Sequence, residues 1–195
     1  DGQGYFVGTC FKDGYKTWLF KLTPDGCDLV PGWRILINEG SHREANKLYK
    51  IAGRYYHFFS EHRPEVGRYV MMQRATNIAG PYTERRQLSH AQREFHEPNQ
   101  GGLVQTEQGG WYFFTHHGTG DWEGRCASLL PVTWVYGWPI IGNVGKDGIG
   151  TMVWSGRKPV ANSPIITPQT DDSFDGPKLG VQWEWNYQQR ADKWS

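Results

Sequence analysis

Apolar and aromatic residues in this chain come in short runs separated by Gly, Pro and Asp, and no segment sustains a 3.6-residue apolar period. Tyr5-Phe6-Val7-Gly8-Thr9-Cys10-Phe11 follows the turn sequence Asp1-Gly2-Gln3-Gly4. Trp18-Leu19-Phe20-Lys21-Leu22 runs into Thr23-Pro24-Asp25-Gly26, and Trp33-Arg34-Ile35-Leu36-Ile37 leads towards Gly40. Leu48, Tyr49 and Ile51, then Ala52-Gly53, then Tyr55, Tyr56, Phe58 and Phe59 predict a hairpin with a two-residue turn. Arg68 to Ala75 predicts a further strand. Asn99 to Thr106 and Trp111 to Thr115, joined through Gly109-Gly110, predict a second hairpin. The expectation is an all-β chain.

Gly2-Gln3-Gly4-Tyr5-Phe6-Val7, Gly53-Arg54-Tyr55-Tyr56-His57-Phe58 and Gly110-Trp111-Tyr112-Phe113-Phe114 resemble one another and recur at about 51 and 57 residues. That interval fits four-stranded propeller blades and not helical solenoids.

Lys and Arg number 21 against 20 Asp and Glu, a formal charge of +1, so no strong field draws nucleic acid or an anionic membrane surface. No apolar run reaches the roughly 18 residues of a membrane-spanning helix. With 15% aromatic residues, the chain suits sugars, whose C–H faces pack on rings, and equally a β core filled with aromatics. Cys10, Cys27 and Cys126 cannot all pair with one another, and none makes a CxxC motif, so they read as free thiols.

Glu44 to Lys50, followed by Gly53 to Glu61, resembles the general-acid segment of glycoside hydrolase family 43, the xylosidases and arabinofuranosidases built on a five-bladed β-propeller. Gly80-Pro81-Tyr82 is similar to a blade loop of that family, and Cys126 to Gly142 to the stretch near the end of its propeller. Phe174 to Asn186 is similar to the opening of the β-sandwich that follows in some members. The resemblance implies about three blades of an incomplete propeller over residues 1–160, a linker at 161–172, and the first strands of a truncated β-sandwich at 173–195. A β-sandwich takes on the order of 100 residues. The expectation is therefore a fragment, or one chain of a split protein whose partner supplies the first blades.

By the same resemblance Glu44 is the general acid of an inverting hydrolysis of terminal or side-chain xylosyl or arabinofuranosyl linkages in arabinoxylan-type polysaccharide. Its proton has to be held near neutral pH, which calls for partial burial or a neighbouring negative charge. Arg43 beside it is expected to point elsewhere. From spacing alone, the plainer reading of Glu44 is a solvated acid just ahead of a strand. The family's base Asp lies in the first blade and its tuning Asp shortly before Asp1, so these 195 residues alone are expected to hydrolyse weakly or not at all.

His116-His117-Gly118-Thr119-Gly120-Asp121-Trp122-Glu123-Gly124-Arg125 resembles a family segment in which a His faces the central channel near calcium and the Arg reaches the sugar. The match implies His117 at the channel, contacting calcium through water, and Arg125 as a substrate ligand. An ordinary strand-end histidine and a surface ion-pair arginine are the plain readings. Calcium prefers oxygen ligands, which favours the water-mediated contact. Gln100, after Pro98-Asn99 and before Gly101-Gly102, matches a loop to the floor of the site, and Trp122 could stack on a sugar ring or pack at a rim. His96 and Glu97 read more simply as an exposed loop. The alternative function is a non-catalytic carbohydrate-binding or assembly module that keeps the aromatic floor without the base.

Overall fold

The structure is a computed structural model that describes the chain apart from residues 1, 41, 93–97, 119–123, 154, 161–170, 181, 185–189, 191 and 193–195. Contacts divide it into Asp1–Pro159 and Val160–Ser195. The described residues contain no α-helix. The first unit is built from β1 (Tyr5–Cys10), β2 (Lys16–Leu22), β3 (Leu29–Asn38), β4 (Arg43–Ile51), β5 (Arg54–Arg63), β6 (Gly67–Ala75) and β7 (Glu84–Ser89). It continues with β8 (Asn99–Gln105), β9 (Trp111–Gly118), β10 (Arg125–Val135), β11 (Trp138–Ile141), β12 (Asn143–Val144) and β13 (Gly150–Thr151).

Three sheets result. β1-β2-β3 is the first, β4 to β7 extended at its outer edge by β13 and β12 is the second, and β8 to β11 is the third. Within the first and third sheets, and from β4 to β7 in the second, consecutive strands pair antiparallel. β1 touches β4 and β4 touches β8, while β7 and β11 meet at the far side. The sheets therefore stand as blades side by side, and this all-β unit is an incomplete propeller, as the repeat interval predicts.

The central hairpin turns at Ala52 and Gly53, with φ of 47° and 77°. Two successive positive φ values are what a two-residue turn matched to strand twist requires, and Gly53 adopts its value without a Cβ clash. The strands extend further than the apolar pattern predicts. β4 reaches back to Arg43, opposite Glu61 of β5, so Glu44 lies inside a strand and not ahead of one. The reason is the length of β5: its backbone groups out to Arg63 need partners, and β4 and β6 supply them.

Core side chains concentrate between the second and third sheets. Phe58, Val70, Met72, Leu88, Phe113, Leu130, Ile140 and Ile141 are all fully buried there. In the second unit Asp172 accepts hydrogen bonds from the Trp183 indole at 2.7 Å and from the Gln182 amide at 3.2 Å. Phe174 packs on Trp183 with ring centroids 5.4 Å apart. Among the described residues of this unit no strand occurs, and the Trp183 N–H donates to the Gly180 carbonyl at 3.1 Å. Most of the expected linker, at 161–170, lies outside the described residues.

Candidate active site

Glu44 is placed by an irregularity in β4. Glu44 pairs with Ser60 and Lys47 with Phe58, so β4 spends one residue more than β5 over the same span. The extra residue makes a bulge, with Ala45 at φ 64°. β8 repeats the device: Asn99 pairs with His116 and Gly102 with Phe114, with Gln100 at φ 55° and Gly101 at φ 103°. A Cβ on Gly101 would come within 2.2 Å of the Phe114 carbonyl oxygen, so only glycine fits there. Asn99 thus holds in the third sheet the position that Glu44 holds in the second.

The Glu44 carboxylate accepts a hydrogen bond on Oε1 from Arg68 Nη1 at 2.7 Å, and the carboxylate side chain is 25% exposed. Register explains the pairing. Glu44 opposes Ser60, Arg68 opposes His62, and Ser60 and His62 lie on one face of β5, so Glu44 and Arg68 share that face. Arg43 projects to the other face, as expected: its Nε donates to Glu61 Oε2 at 2.8 Å and its Nη1 to Asn38 Oδ1 at 3.0 Å. The charged neighbour bonded to Glu44 is therefore a cation and not the anion that acid tuning calls for. Sequence reading missed Arg68; the tight turn between Arg63 and Gly67, combined with strand alternation, carries the signal.

Gln100 is brought to the same place. Its backbone N–H donates to Ser60 Oγ at 2.8 Å, and Ser60 is the residue opposite Glu44. Thr115 Oγ1 donates to the carbonyls of Asn99 and Gln100 at 2.9 and 3.3 Å, which secures the bulge and leaves the Gln100 side chain exposed.

The two histidines of β9 separate. Gly118 opposes Arg125 and His116 opposes Ala127, so His116 and Arg125 share a face of the β9–β10 pair. Burial, then the Arg125 and Arg68 guanidiniums, then His117 hold the His116 imidazole below its ordinary value, and it is neutral at pH 7. The cation bound to Glu44 and the cation of β10 thus act on one imidazole. His117 instead bonds through Nδ1 to Ser128 Oγ at 2.6 Å and, with Tyr112, Asn143, Arg157 and Lys158, lines a cavity of about 630 Å³ that does not include Glu44. The imidazole sharing a face with Arg125 is His116, where the sequence match implies His117. Alternation counted back from Arg125 distinguishes them.

Trp122 lies outside the described residues, as do Asp121, His96 and Glu97. Among the described residues no three His, Cys, Asp or Glu side chains converge on one point. Nδ1 of His117 is engaged with the Ser128 hydroxyl, and calcium takes mainly oxygen ligands. Cys10, Cys27 and Cys126 are free thiols.

The cluster comprises a carboxylate, two guanidiniums, a neutral imidazole and an exposed amide, on strands that meet between the second and third sheets. Known proteins contain a similar segment. A beta-xylosidase of Formosa agariphila is 33% identical over 201 residues, covering 94% of this chain and 34% of that protein. A putative beta-xylosidase of Xylanibacter ruminicola is 33% identical over 197 residues, covering all of this chain and 37% of that one. The chain thus spans about a third of the length of these curated relatives. Among solved structures, a family 43 protein of Bacteroides ovatus superposes with a TM-score of 0.69 at 27% identity, covering 94% of this chain and 38% of that one. A xylan beta-1,4-xylosidase of Bacillus halodurans superposes with a TM-score of 0.71 at 24% identity, covering 94% and 38%. The model of the glycosyl hydrolases family 43 matches residues 1–139, most of the propeller unit, and the chain belongs to that family.

Proposed function

We propose that the chain carries the acid side of a glycosidase site acting on terminal or side-chain xylosyl or arabinofuranosyl linkages of arabinoxylan-type hemicellulose. The observation that carries this reading is the position of Glu44: on the edge strand where three sheets meet, ion-paired at 2.7 Å to Arg68 and one residue pair from the anchor of Gln100. The names of the two curated relatives support the substrate class.

Hydrolysis with inversion needs one carboxyl group to protonate the leaving oxygen and a second, roughly 6.5–9.5 Å away, to activate water on the opposite face. Glu44 takes the first role. Arg68 occupies Oε1, so the proton delivered to the leaving oxygen travels on Oε2. Arg125 offers a planar fork to vicinal hydroxyls, and neutral His116 and the Gln100 amide each supply a donor and an acceptor for a neutral sugar. No residue of this chain is assigned the water-activating role.

The test uses the full gene product on xylobiose and on arabinofuranosyl xylo-oligosaccharides, with NMR detection of the first-formed anomer. The expected product anomer is opposite to that of the substrate, and Glu44→Gln lowers kcat by about 10²–10⁴-fold. Undiminished turnover by Glu44→Gln removes the acid role. Binding of xylo-oligosaccharides without any turnover replaces this reading with that of a carbohydrate-binding module.

A further inference from the structure

On the face of the second sheet opposite to Glu44, a chain of hydrogen bonds crosses to the first sheet, and its direction is fixed throughout. Arg85 can only donate, and its Nη2 donates to Gln73 Oε1 at 3.1 Å. That orients the Gln73 amide so that Nε2 donates to the Ile37 carbonyl at 2.7 Å and to His57 Nδ1 at 3.0 Å. The His57 proton therefore sits on Nε2 and is donated to Asn46 Oδ1 at 2.7 Å. Asn46 Nδ2 in turn donates to Thr9 Oγ1 at 2.6 Å. Thr9 and Thr17 hydroxyls lie 2.8 Å apart, and Thr17 Oγ1 returns to Asn46 Oδ1 at 3.3 Å, closing a ring. His57 is fully buried; that burial, and secondarily Arg85, push its imidazole down to about 3, so it stays neutral throughout the working pH range.

Asn46 lies two residues after Glu44. In a regular strand, residues two apart share a face. Here the bulge at Ala45 intervenes, so Asn46 enters the seam with the first sheet while Glu44 shares the opposite face with Ser60 and bonds to Arg68. Ala45 is an L-residue in the left-handed region, a conformation that persists only where its surroundings over-determine it. Next to it, Asn46 is held on one side by the ring with Thr9 and Thr17 and on the other by His57. A one-residue slip that removed the bulge would turn Glu44 into the polar seam.

We infer that Asn46, clamped by Thr9, Thr17 and His57, is the positioning residue that aims Glu44 at the substrate side. This rests on the reading of Glu44 as the acid and extends it to residues that touch no sugar. An acid in place speeds departure of poor leaving groups and matters little to good ones, so misaiming it has a signature that general loosening of the fold lacks.

The experiment compares kcat and KM of the full gene product on xylobiose and on 2,4-dinitrophenyl xyloside. Asn46→Ala is expected to lower kcat on xylobiose about 10²-fold, with KM within about twofold and the dinitrophenyl rate nearly unchanged. Thr9→Val, which removes one hydroxyl, is expected to act in the same direction by roughly tenfold, and it carries the test if Asn46→Ala does not fold. Adding Ala45→Gly to Asn46→Ala restores part of the xylobiose rate, because glycine holds the bulge unaided. Equal loss on both substrates, or a lower Tm with both rates intact, overturns the inference while Glu44→Gln still discriminates between them. If Glu44→Gln itself shows no discrimination, the acid reading and this inference both fall.

Discussion

The two seams of the second sheet are built on opposite principles. Towards the third sheet the seam is apolar: Phe58 meets Phe113 at 5.3 Å between ring centroids, and Tyr56 meets Trp134 and Trp138 edge-on at 6.1 and 6.2 Å. Towards the first sheet it is polar: Arg43, Glu61, Arg85, Gln73, His57 and Asn46 are joined by hydrogen bonds, and Arg43, Arg85 and His57 lie against the buried ring of Phe59. Apolar burial is non-directional and stabilises wherever shape allows. A buried polar network contributes less net stability but accepts one geometry only, because each unmade bond leaves a desolvated group. One sheet thus has a face that holds the propeller together and a face that fixes where its catalytic candidate points.

The largest effect expected on this contrast comes from the apolar side. Phe58→Ala should cost about 4 kcal/mol in denaturant unfolding and leave the leaving-group preference of turnover unchanged. Next is the pH response of the polar side. The folded chain holds His57 at about 3 against an ordinary 6.5, so below pH 6.5 the unfolded chain binds a proton that the folded chain refuses. Stability falls as pH drops through that window, by about 3 kcal/mol between pH 8 and pH 4, and His57→Gln flattens this component of the curve. Gln73→Leu, which strips the bond from His57 Nδ1 and the acceptor from Arg85, should cost about 2 kcal/mol and alter the xylobiose rate, unlike Phe58→Ala. Smallest is Phe114→Ser on the open face of the third sheet, where the ring is 55% exposed; its effect on unfolding should lie within about 0.5 kcal/mol.

The seams also show what was legible in the sequence. Strand runs, the Ala52-Gly53 turn and the blade interval are local signals, and the apolar seam follows from them because the buried Tyr56 and Phe113 sit at matching places after Gly53 and Gly110 in two similar hairpins. Glu44 was found through a family resemblance and not through spacing. Its environment depends on register: Arg68 and His116 become neighbours only once pairings such as His62–Arg68 and His116–Ala127 are set. The bulges at Ala45 and Gln100 left no readable mark, since alanine and glutamine are ordinary strand-edge residues until φ turns positive. The polar seam was missed for the same reason: Thr9, Asn46, His57 and Gln73 are far apart in the chain, and each alone reads as surface.

The most direct test of the central claim is the dependence of turnover on leaving-group acidity across a series of aryl and alkyl xylosides, for the full gene product and for Glu44→Gln. The expected loss is about 10²–10⁴-fold for the least acidic leaving groups and shrinks towards nothing for dinitrophenol. A loss of the same factor along the whole series would contradict it.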